Sequence, residues 1–249
     1  TLDTMNSLGR LVFERGHYAE AEHLFRQALT LQRKQLGEGH PETLQTTANL
    51  AELCLQTERR EEALQLNRKV LGILEEKMGL LHPQTLRSVQ LLARARALAE
   101  PETCEEAEGL FRRALRGRQQ LLGKAHPDTV QSCGYLALFL QSRSKLDEAL
   151  EQYRHVVNVV EGTEAIEIHQ AAQEVRWDIW YFVSEYASLL KRTGRVGDAV
   201  VMCQKSLTVQ RRLLGDDHPH TKRSVLILGE ARQTSTNTTS TSSDPPTES

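Results

Sequence analysis

Large, small and polar residues recur along the chain in a pattern that repeats about every 42 residues. Each copy begins with a large residue followed by a small one, and the pairs are Leu8-Gly9, Leu50-Ala51, Leu92-Ala93, Leu136-Ala137, Tyr186-Ala187 and Leu228-Gly229. Twelve residues after the small residue, or fourteen in the third copy, stands an alanine that follows an acidic residue, and these are Ala21, Ala63, Ala107, Ala149 and Ala199. Four residues later comes a further packing residue, which is Phe25, Asn67, Phe111, Tyr153 or Cys203. Residues three, four and seven apart share a helix face, so each copy predicts two amphipathic helices that pack through small residues.

A second phrase separates the copies. It reads LGEGHPET at 36–43, MGLLHPQT at 78–85, LGKAHPDT at 122–129 and LGDDHPHT at 214–221. Its glycine suits the end of one helix, because glycine accepts the left-handed conformation at little cost. Its proline suits the first turn of the next helix, where the missing N–H loses no hydrogen bond. The phrase therefore predicts a joint between helices.

Four histidines stand in these joints, at His40, His82, His126 and His218. We interpret them as packed or capping side chains rather than as metal ligands or catalytic groups. Equivalent positions in stacked helices are separated by about 10 Å for each helix layer, whereas a metal ion needs its ligands at about 2 Å. No metal and no cofactor are predicted.

The repeated register resembles the tetratricopeptide repeat, in which one helix carries a large-then-small pair and the next carries alanine, an aromatic residue and alanine. The period of about 42 residues and the His-Pro joint resemble the subclass found in kinesin light chains. The resemblance covers about residues 1–233. It implies an all-α fold, a right-handed superhelical solenoid of antiparallel helix pairs with about five repeats and a capping helix.

The joints divide the chain into predicted units at 1–42, 43–84, 85–128, 129–168 and 169–220, a capping helix at 221–233 and a disordered tail rich in Ser and Thr at 234–249. The fifth unit departs from the others. Its joint, EIHQAAQ, lacks the proline, and its first helix is expected to be longer by about eight residues. The tail is too polar to bury, which is why disorder is predicted.

Composition narrows the possible partners. The formal charge is −2, so no basic field favours nucleic acid or an acidic membrane surface. No run of about 18 apolar residues predicts a membrane span. The four cysteines lie far apart with no CxxC pair, which favours a reducing compartment and a cytoplasmic location.

Motifs for catalysis are missing from the sequence. It contains no glycine-rich phosphate loop, no nucleophile elbow and no HExxH pair. Its scattered His and Cys residues are explained by the repeat register, with the reactivity of Cys104 left open. We therefore predict that the protein is not an enzyme.

In such an array the first helix of each pair lines a concave groove. The groove residues singled out in the first four units are Gln45, Asn49, Arg87, Arg94 and Tyr135. The resemblance to kinesin light chains implies asparagines that reach a peptide backbone, and only Asn49 keeps the inner one of these. We predict that Gln45, Asn49, Arg87 and Arg94 hold an acidic side chain or a C-terminal carboxylate. The alternative is a solvated face.

Both tryptophans of the chain stand in the fifth unit, in VRWDIWYFVSEYASLL. Trp177, Tyr181 and Glu185 step by four residues along one helix face, which is expected to look into the groove. Large aromatic side chains on such a face are frequent binding anchors. The alternative is that the tryptophans only cover the extra turns of a longer helix.

These patterns favour a non-catalytic protein–protein interaction module, an adaptor or scaffold that binds a peptide or helix of another protein in the concave groove. A structural subunit of a larger assembly, working through convex and edge surfaces, is the alternative. The two hypotheses differ in whether substitutions in the groove weaken the partner's binding.

Overall fold

A computed structural model describes residues 2–99, 104–162 and 177–240, and all the regular structure in these ranges is α-helical. The helices are α1 (Leu2–Glu14), α2 (Tyr18–Gln35), α3 (Pro41–Gln56), α4 (Arg60–Met78), α5 (Pro83–Ala99), α6 (Cys104–Leu122), α7 (Pro127–Ser142), α8 (Leu146–Gly162), α9 (Trp177–Arg192), α10 (Val196–Leu214) and α11 (Pro219–Ser240). This confirms the predicted all-α fold of successive helix pairs.

The helices alternate between two roles, as the repeat register predicts. We call the odd-numbered helices the A helices and the even-numbered ones, each of which follows an A helix, the B helices. Helices adjacent in the chain pack together, as α1 does with α2 and α2 with α3. Successive A helices also contact each other, as α3 does with α5 and α9 with α11.

The small residues of the register lie in the core. Ala51, Ala93, Ala137 and Ala187 of the A helices are fully buried, as are the alanines that begin the B helices. At Gly9, an added Cβ would lie 2.8 Å from Cε1 of Phe25, so only glycine lets α1 and α2 approach this closely. The small residues therefore set the distance between paired helices, as predicted.

The four joints have the predicted geometry. Gly37, Gly79, Gly123 and Gly215 have φ between 82° and 86°, in the left-handed region. Each joint histidine then accepts a hydrogen bond through Nδ1 from the backbone N–H two residues later, at 3.1–3.3 Å. The histidines thus cap the A helices α3, α5, α7 and α11, and their interpretation as capping side chains is confirmed.

The turns inside the helix pairs also need a left-handed residue. Gly16 and Gly194 supply it in the first and fifth pairs, with φ of 82° and 84°. Glu58 and Ser144 take the same place in the second and fourth pairs, with φ of 61° and 60°. A side chain in this conformation stores strain that glycine does not.

The chain divides into two compact units, residues 1–136 and 137–249, with the division inside α7. From here on, the first unit and the second unit mean these two parts of the chain and not the individual repeats. The degenerate joint of the fifth repeat and the start of its long helix lie outside the described residues. Helix α11 continues to Ser240, so residues 234–240 of the predicted tail are helical, and the remaining tail residues are not described. The boundaries of the individual repeats remain predictions.

Candidate binding surface on the A helices

Polar side chains predicted to line the groove come together in the first unit. Asn49 Nδ2 donates to Asn6 Oδ1 at 2.9 Å, which links α3 to α1. Asn49 Oδ1 accepts from Arg87 Nη2 at 2.8 Å, which links α3 to α5. Gln84 Nε2 donates to Gln45 Oε1 at 3.4 Å between the same two helices. Sequence reasoning therefore placed Gln45, Asn49 and Arg87 on one surface, and the structure places them there too.

Glu52 is the centre of the charge on this surface. Its Oε2 accepts from Arg87 Nη2 at 2.9 Å, and its Oε1 accepts from Arg94 Nη1 at 3.1 Å. Arg94 also lies over the ring of Tyr135, with its guanidinium carbon 4.3 Å from the ring centroid. One carboxylate of this chain thus serves two arginines, and the second arginine is covered by an aromatic ring.

This arrangement bears on the predicted binding of a partner's carboxylate by Arg87 and Arg94. Glu52 already provides a carboxylate to both guanidinium groups, so a carboxylate from a partner would have to compete with it. Asn49 is buried and hydrogen-bonded on both sides. Binding of a partner's carboxylate here stays a prediction.

The second unit contains another pair of A helices in contact, α9 and α11. The rings of Tyr181 and His220 lie 4.6 Å apart between centroids, and His218 stands 5.3 Å from His220. Tyr181 and His220 are only partly buried. The predicted site residue Tyr181 therefore belongs to a small aromatic step between two A helices.

Glu185 and Arg223 form an ion pair beside this step. Arg223 Nε donates to Glu185 Oε1 at 3.2 Å. The Glu185 side chain is 5 % exposed, whereas the Arg223 side chain is 55 % exposed. The Glu185 carboxylate raises the pKa of the Arg223 guanidinium above its usual value. The buried acid therefore orients an exposed base.

The terminal amino groups of Arg223 differ from those of Arg87. The hydrogen bond from Arg223 to Glu185 uses Nε. Among the described residues, no acceptor takes a hydrogen bond from Nη1 or Nη2 of Arg223. By contrast, Arg87 Nη2 donates to both Asn49 and Glu52. Arg223 therefore offers the planar, two-donor edge that binds a carboxylate or phosphate.

Of the two tryptophans, only Trp180 has a described side chain. The side chain of Trp177, the first residue of α9, lies outside the described residues. Trp180 is partly buried, and its carbonyl accepts from Ser184 Oγ at 3.3 Å. The role of Trp177 as a binding anchor stays a prediction, with a cover for the extra turns of the helix as its alternative.

Sequence reasoning missed Arg223 and His220, because α11 was taken only as a cap. The signal was present in the register. Arg223 stands six residues before Gly229, as Arg87 stands six residues before Ala93. His220 holds the place of Gln84 in the same comparison, so the sixth A helix carries the same contact positions as the third.

The cysteines have the properties of core residues. Burial raises the pKa of the Cys54, Cys133 and Cys203 thiols to about 12, which removes the thiolate needed for nucleophilic chemistry. In the part of the chain that the structure describes, no cluster of His, Cys, Asp and Glu has the makings of a metal site. The side chain of Cys104 is not described.

The chain matches sequence models of the tetratricopeptide repeat over residues 1–76, 91–128 and 187–220. The chain belongs to the tetratricopeptide repeat family. Members of this family generally bind other proteins and are generally non-catalytic. The repeats of this chain support a protein-interaction module. A comparison with curated proteins found no relative that matches in sequence.

Solved structures with the same repeat fold include kinesin-light-chain-like proteins. A putative kinesin light chain of Podosopora anserina, with nearly identical TPR-like repeats, is 25 % identical over 80 % of this chain and 89 % of its own, with a TM-score of 0.58. BtubC (BKLC) from P. vanneervenii is 16 % identical, covers 99 % of this chain and 84 % of its own, and has a TM-score of 0.59. The resemblance to the kinesin-light-chain subclass is confirmed at the level of the fold.

A Rap protein complexed with Competence and Sporulation Factor has the same type of fold. It is 13 % identical, covers 92 % of this tetratricopeptide repeat chain and 62 % of its own, and has a TM-score of 0.71. At that identity the likeness concerns the fold alone. Among the helices that the structure describes, none has the length and apolar character of a membrane span.

Proposed function

We propose that this chain is a non-catalytic adaptor that binds a peptide or a helix of a partner protein on the faces of its A helices. The observation that carries the proposal is Arg223, an exposed guanidinium oriented by the buried Glu185, with terminal donors that no described residue uses. Because Glu185 already orients the Arg223 side chain, a partner that binds it has less side-chain entropy to remove.

The partner segment that fits this surface carries a carboxylate next to an apolar or aromatic side chain. The carboxylate would receive two hydrogen bonds from Arg223. The neighbouring side chain would pack on the rings of Tyr181 in α9 and His220 in α11, and His220 stands about one helical turn before Arg223. A free C-terminus and an acidic side chain are both sources of such a carboxylate.

The first unit has a supporting role in this proposal. Its arginines are already paired with Glu52, so Arg87 and Arg94 act mainly by holding α3 and α5 together. The partly exposed amide of Gln45 remains a position where a partner's backbone can hydrogen-bond. We therefore place specificity in the second unit and general peptide contacts in the first.

Selection from a displayed library of random 12-residue peptides tests the proposal. Wild type should enrich peptides with an acidic residue or free C-terminal carboxylate next to an apolar residue. Arg223→Gln should lose that enrichment, because the amide cannot form the charged two-donor contact. Arg192→Gln is the matched control, since Arg192 is an exposed arginine of the same helix layer. Enrichment of acidic peptides by Arg223→Gln would contradict the assignment.

The second candidate function is a structural subunit that works through an edge of the array. The observation in its favour is the α4–α5 joint, where Leu80 and Leu81 are 60 % and 45 % exposed, although the other joints hold polar or small residues there. A stoichiometric complex that survives Arg223→Gln and is lost in Leu80→Ser with Leu81→Ser would favour this function.

A further inference from the structure

Three serine side chains meet in the interior of the second unit, one each from α9, α10 and α11. Ser184, Ser206 and Ser224 are all fully buried. Ser184 Oγ lies 2.7 Å from Ser206 Oγ and 2.8 Å from Ser224 Oγ. We call these three residues the serine cluster, and its hydrogen bonds join all three helices.

Two further groups stand at the ends of the serine cluster. Ser206 Oγ donates to the backbone carbonyl of Trp180, and Ser224 Oγ lies 2.6 Å from Oε1 of Gln210. These two contacts and the two within the cluster need four protons, whereas three hydroxyls supply three. The Gln210 amide supplies the fourth when it is turned over, because Nε2 then faces Ser224 instead of lying buried without a described acceptor. Each hydroxyl then donates one hydrogen bond, and each also accepts one.

The repeat register does not require hydroxyl groups at these positions. In the place of Ser206, the earlier B helices carry buried apolar residues, namely Ala28, Val70, Ala114 and Val156. In the place of Ser184, helix α3 carries the buried Ala48. A buried hydroxyl costs free energy unless it is hydrogen-bonded, and a satisfied buried network favours one arrangement of its helices. The serine cluster is therefore suited to fixing how α9, α10 and α11 pack against one another.

The Arg223 surface lies next to the serine cluster along both A helices. Ser184 directly precedes Glu185, and Ser224 directly follows Arg223. The contact between the two hydroxyls is therefore at the level of the ion pair in α9 and α11. The distance of 3.2 Å from Arg223 Nε to Glu185 Oε1 is at the upper end of the range for such a hydrogen bond. A small displacement of α11 along α9 would therefore break it.

We propose that Ser184 and Ser224 are positioning residues of the Arg223 surface. Their contact holds α11 at the distance and rotation relative to α9 at which the ion pair forms. The same contact keeps His220, one turn earlier in α11, against the ring of Tyr181. This inference rests on the proposed function, and it adds the residues that hold the arginine edge and the aromatic rings together.

NMR of the arginine Nε–H groups tests the positioning role without any ligand. In the isotope-labelled 249-residue chain, the Arg223 signal is the one that disappears in Arg223→Gln. Ser184→Ala and Ser224→Ala should each raise the exchange rate of this Nε–H with water at least about threefold, because its hydrogen bond to Glu185 opens more often. Ser132→Ala is the matched control, since Ser132 is buried in α7 at the register position of Ser224, and its loss should leave the rate unchanged.

The repeats themselves supply the variants that separate hydrogen bonding from packing. Alanine occupies the place of Ser184 in α3, so Ser184→Ala should fold, and circular dichroism checks this. Ser224→Thr keeps the hydroxyl, and the buried Thr46 shows that an A helix accommodates threonine at this register position. Ser224→Thr should therefore exchange at the wild-type rate, whereas Ser224→Ala should not.

Peptide binding is the second measurement. The probe is the acidic peptide that wild type enriches most strongly from the 12-residue library, and its counterpart has each carboxylate replaced by an amide. In fluorescence anisotropy, Ser184→Ala and Ser224→Ala should each lower the preference for the acidic peptide at least about threefold. Adding either change to Arg223→Gln should cause little further loss, because both changes act through that arginine.

Unchanged exchange of the Arg223 Nε–H in both alanine variants would overturn the proposal. Equal acceleration in Ser132→Ala would overturn it as well, since the effect would then be a general loosening of the chain. Additive losses of affinity in the double variants would mean that the serines act on binding by another route, and this too would contradict it. A wild-type protein with no preference for the acidic peptide would contradict the proposed function instead, and the exchange rates alone would then decide the positioning role.

Discussion

The α3–α5 contact in the first unit and the α9–α11 contact in the second use the same backbone positions for different chemistry. In the first, Arg87 reaches Asn49 and Gln84 reaches Gln45. In the second, Arg223 reaches Glu185 and His220 stacks on Tyr181. The partners occupy matching places in the register. The repeat register therefore determines which positions of neighbouring A helices contact each other. The residue types at those positions determine whether the contact is a hydrogen bond, an ion pair or a ring contact.

The position of the acid explains the difference between the two contacts. In the first unit the acid is Glu52, which is partly buried and pairs with two arginines. In the second unit the acid is Glu185, buried beneath a single arginine. Arg87 Nη2 already donates to Asn49 and Glu52, whereas the single hydrogen bond from Nε leaves both terminal amino groups of Arg223 without a described acceptor. The first contact links two A helices through a shared carboxylate, and the second orients one exposed arginine.

Overpacking tests whether the two contacts share one backbone. Ala51→Leu in α3 and Ala187→Leu in α9 each place a larger side chain in a fully buried site. We expect each to lower the free energy of unfolding by up to about 3 kcal/mol, since close-packed helices must separate. Urea denaturation measures the loss, and Ser188→Leu, at a partly exposed neighbour, is the control. A harmless Ala187→Leu would mean that α9 is not packed in the register of α3.

Removal of each arginine tests the difference in charge. Arg223→Met should cost about 2 kcal/mol of unfolding free energy, because it leaves the Glu185 carboxylate buried without its partner, with solvent access at Arg223 reducing the loss. Arg87→Met should cost about 1 kcal/mol, because Glu52 keeps Arg94 and Asn49 is neutral. Chemical denaturation of both variants checks the order. A larger loss for Arg87→Met would reverse our view of which pair is buried.

Thiol labelling reports on the two units separately. Burial raises the pKa of Cys54 in α3 and Cys203 in α10 to about 12, so both should react slowly at pH 8. In Arg223→Met, Cys203 should react about tenfold faster through local opening, and Cys54 should not change. Mass spectrometry of labelled peptides measures both rates. Equal acceleration at the two cysteines would show that the whole chain opens together.

The same pKa shifts set a dependence of stability on pH. A thiol whose pKa is raised from 9.0 to about 12 on folding favours the folded state below pH 9. That contribution is lost as pH rises from 9 towards 12, because the unfolded chain releases the protons first. Denaturation at pH 8 and pH 10.5 should show lower stability at the higher pH, and Cys203→Ala should reduce the difference. A difference that Cys203→Ala leaves unchanged would contradict the contribution of that thiol.

Much of the fold follows from the sequence because the repeat states each contact several times. The buried small residues and the four glycine-to-proline joints were predictable from residue type and spacing alone. The contacts of helix α11 were harder to predict. Its buried residues follow the repeat register and indicate only a capping helix, while its polar face carries Arg223 and His220. Whether the donors of an arginine are already hydrogen-bonded depends on which acidic side chains, such as Glu52, come close to it. Residue spacing alone does not reveal this. For this reason the positions that meet between the A helices were predictable, and the pairing of their side chains was not.

The smallest expected effect concerns the helix-pair turns. Ser144→Gly in the second unit and Glu58→Gly in the first should each raise the free energy of unfolding by about 0.5 kcal/mol. Glycine removes the strain of the left-handed backbone conformation, and its greater entropy in the unfolded chain offsets part of that gain. Thermal denaturation measures the change. Gly194→Ala is the converse variant and should destabilise the fifth pair, and a stable Gly194→Ala would contradict the left-handed requirement.

The two tryptophans of the chain, Trp177 and Trp180, stand at the start of α9 and so provide a direct measurement of binding at the α9–α11 surface. An acidic peptide enriched by the wild-type protein should change tryptophan emission saturably on titration. The change should vanish in Arg223→Gln and persist in Arg87→Gln. A full response in Arg223→Gln, or a response lost only in Arg87→Gln, would contradict the assignment of recognition to the second unit.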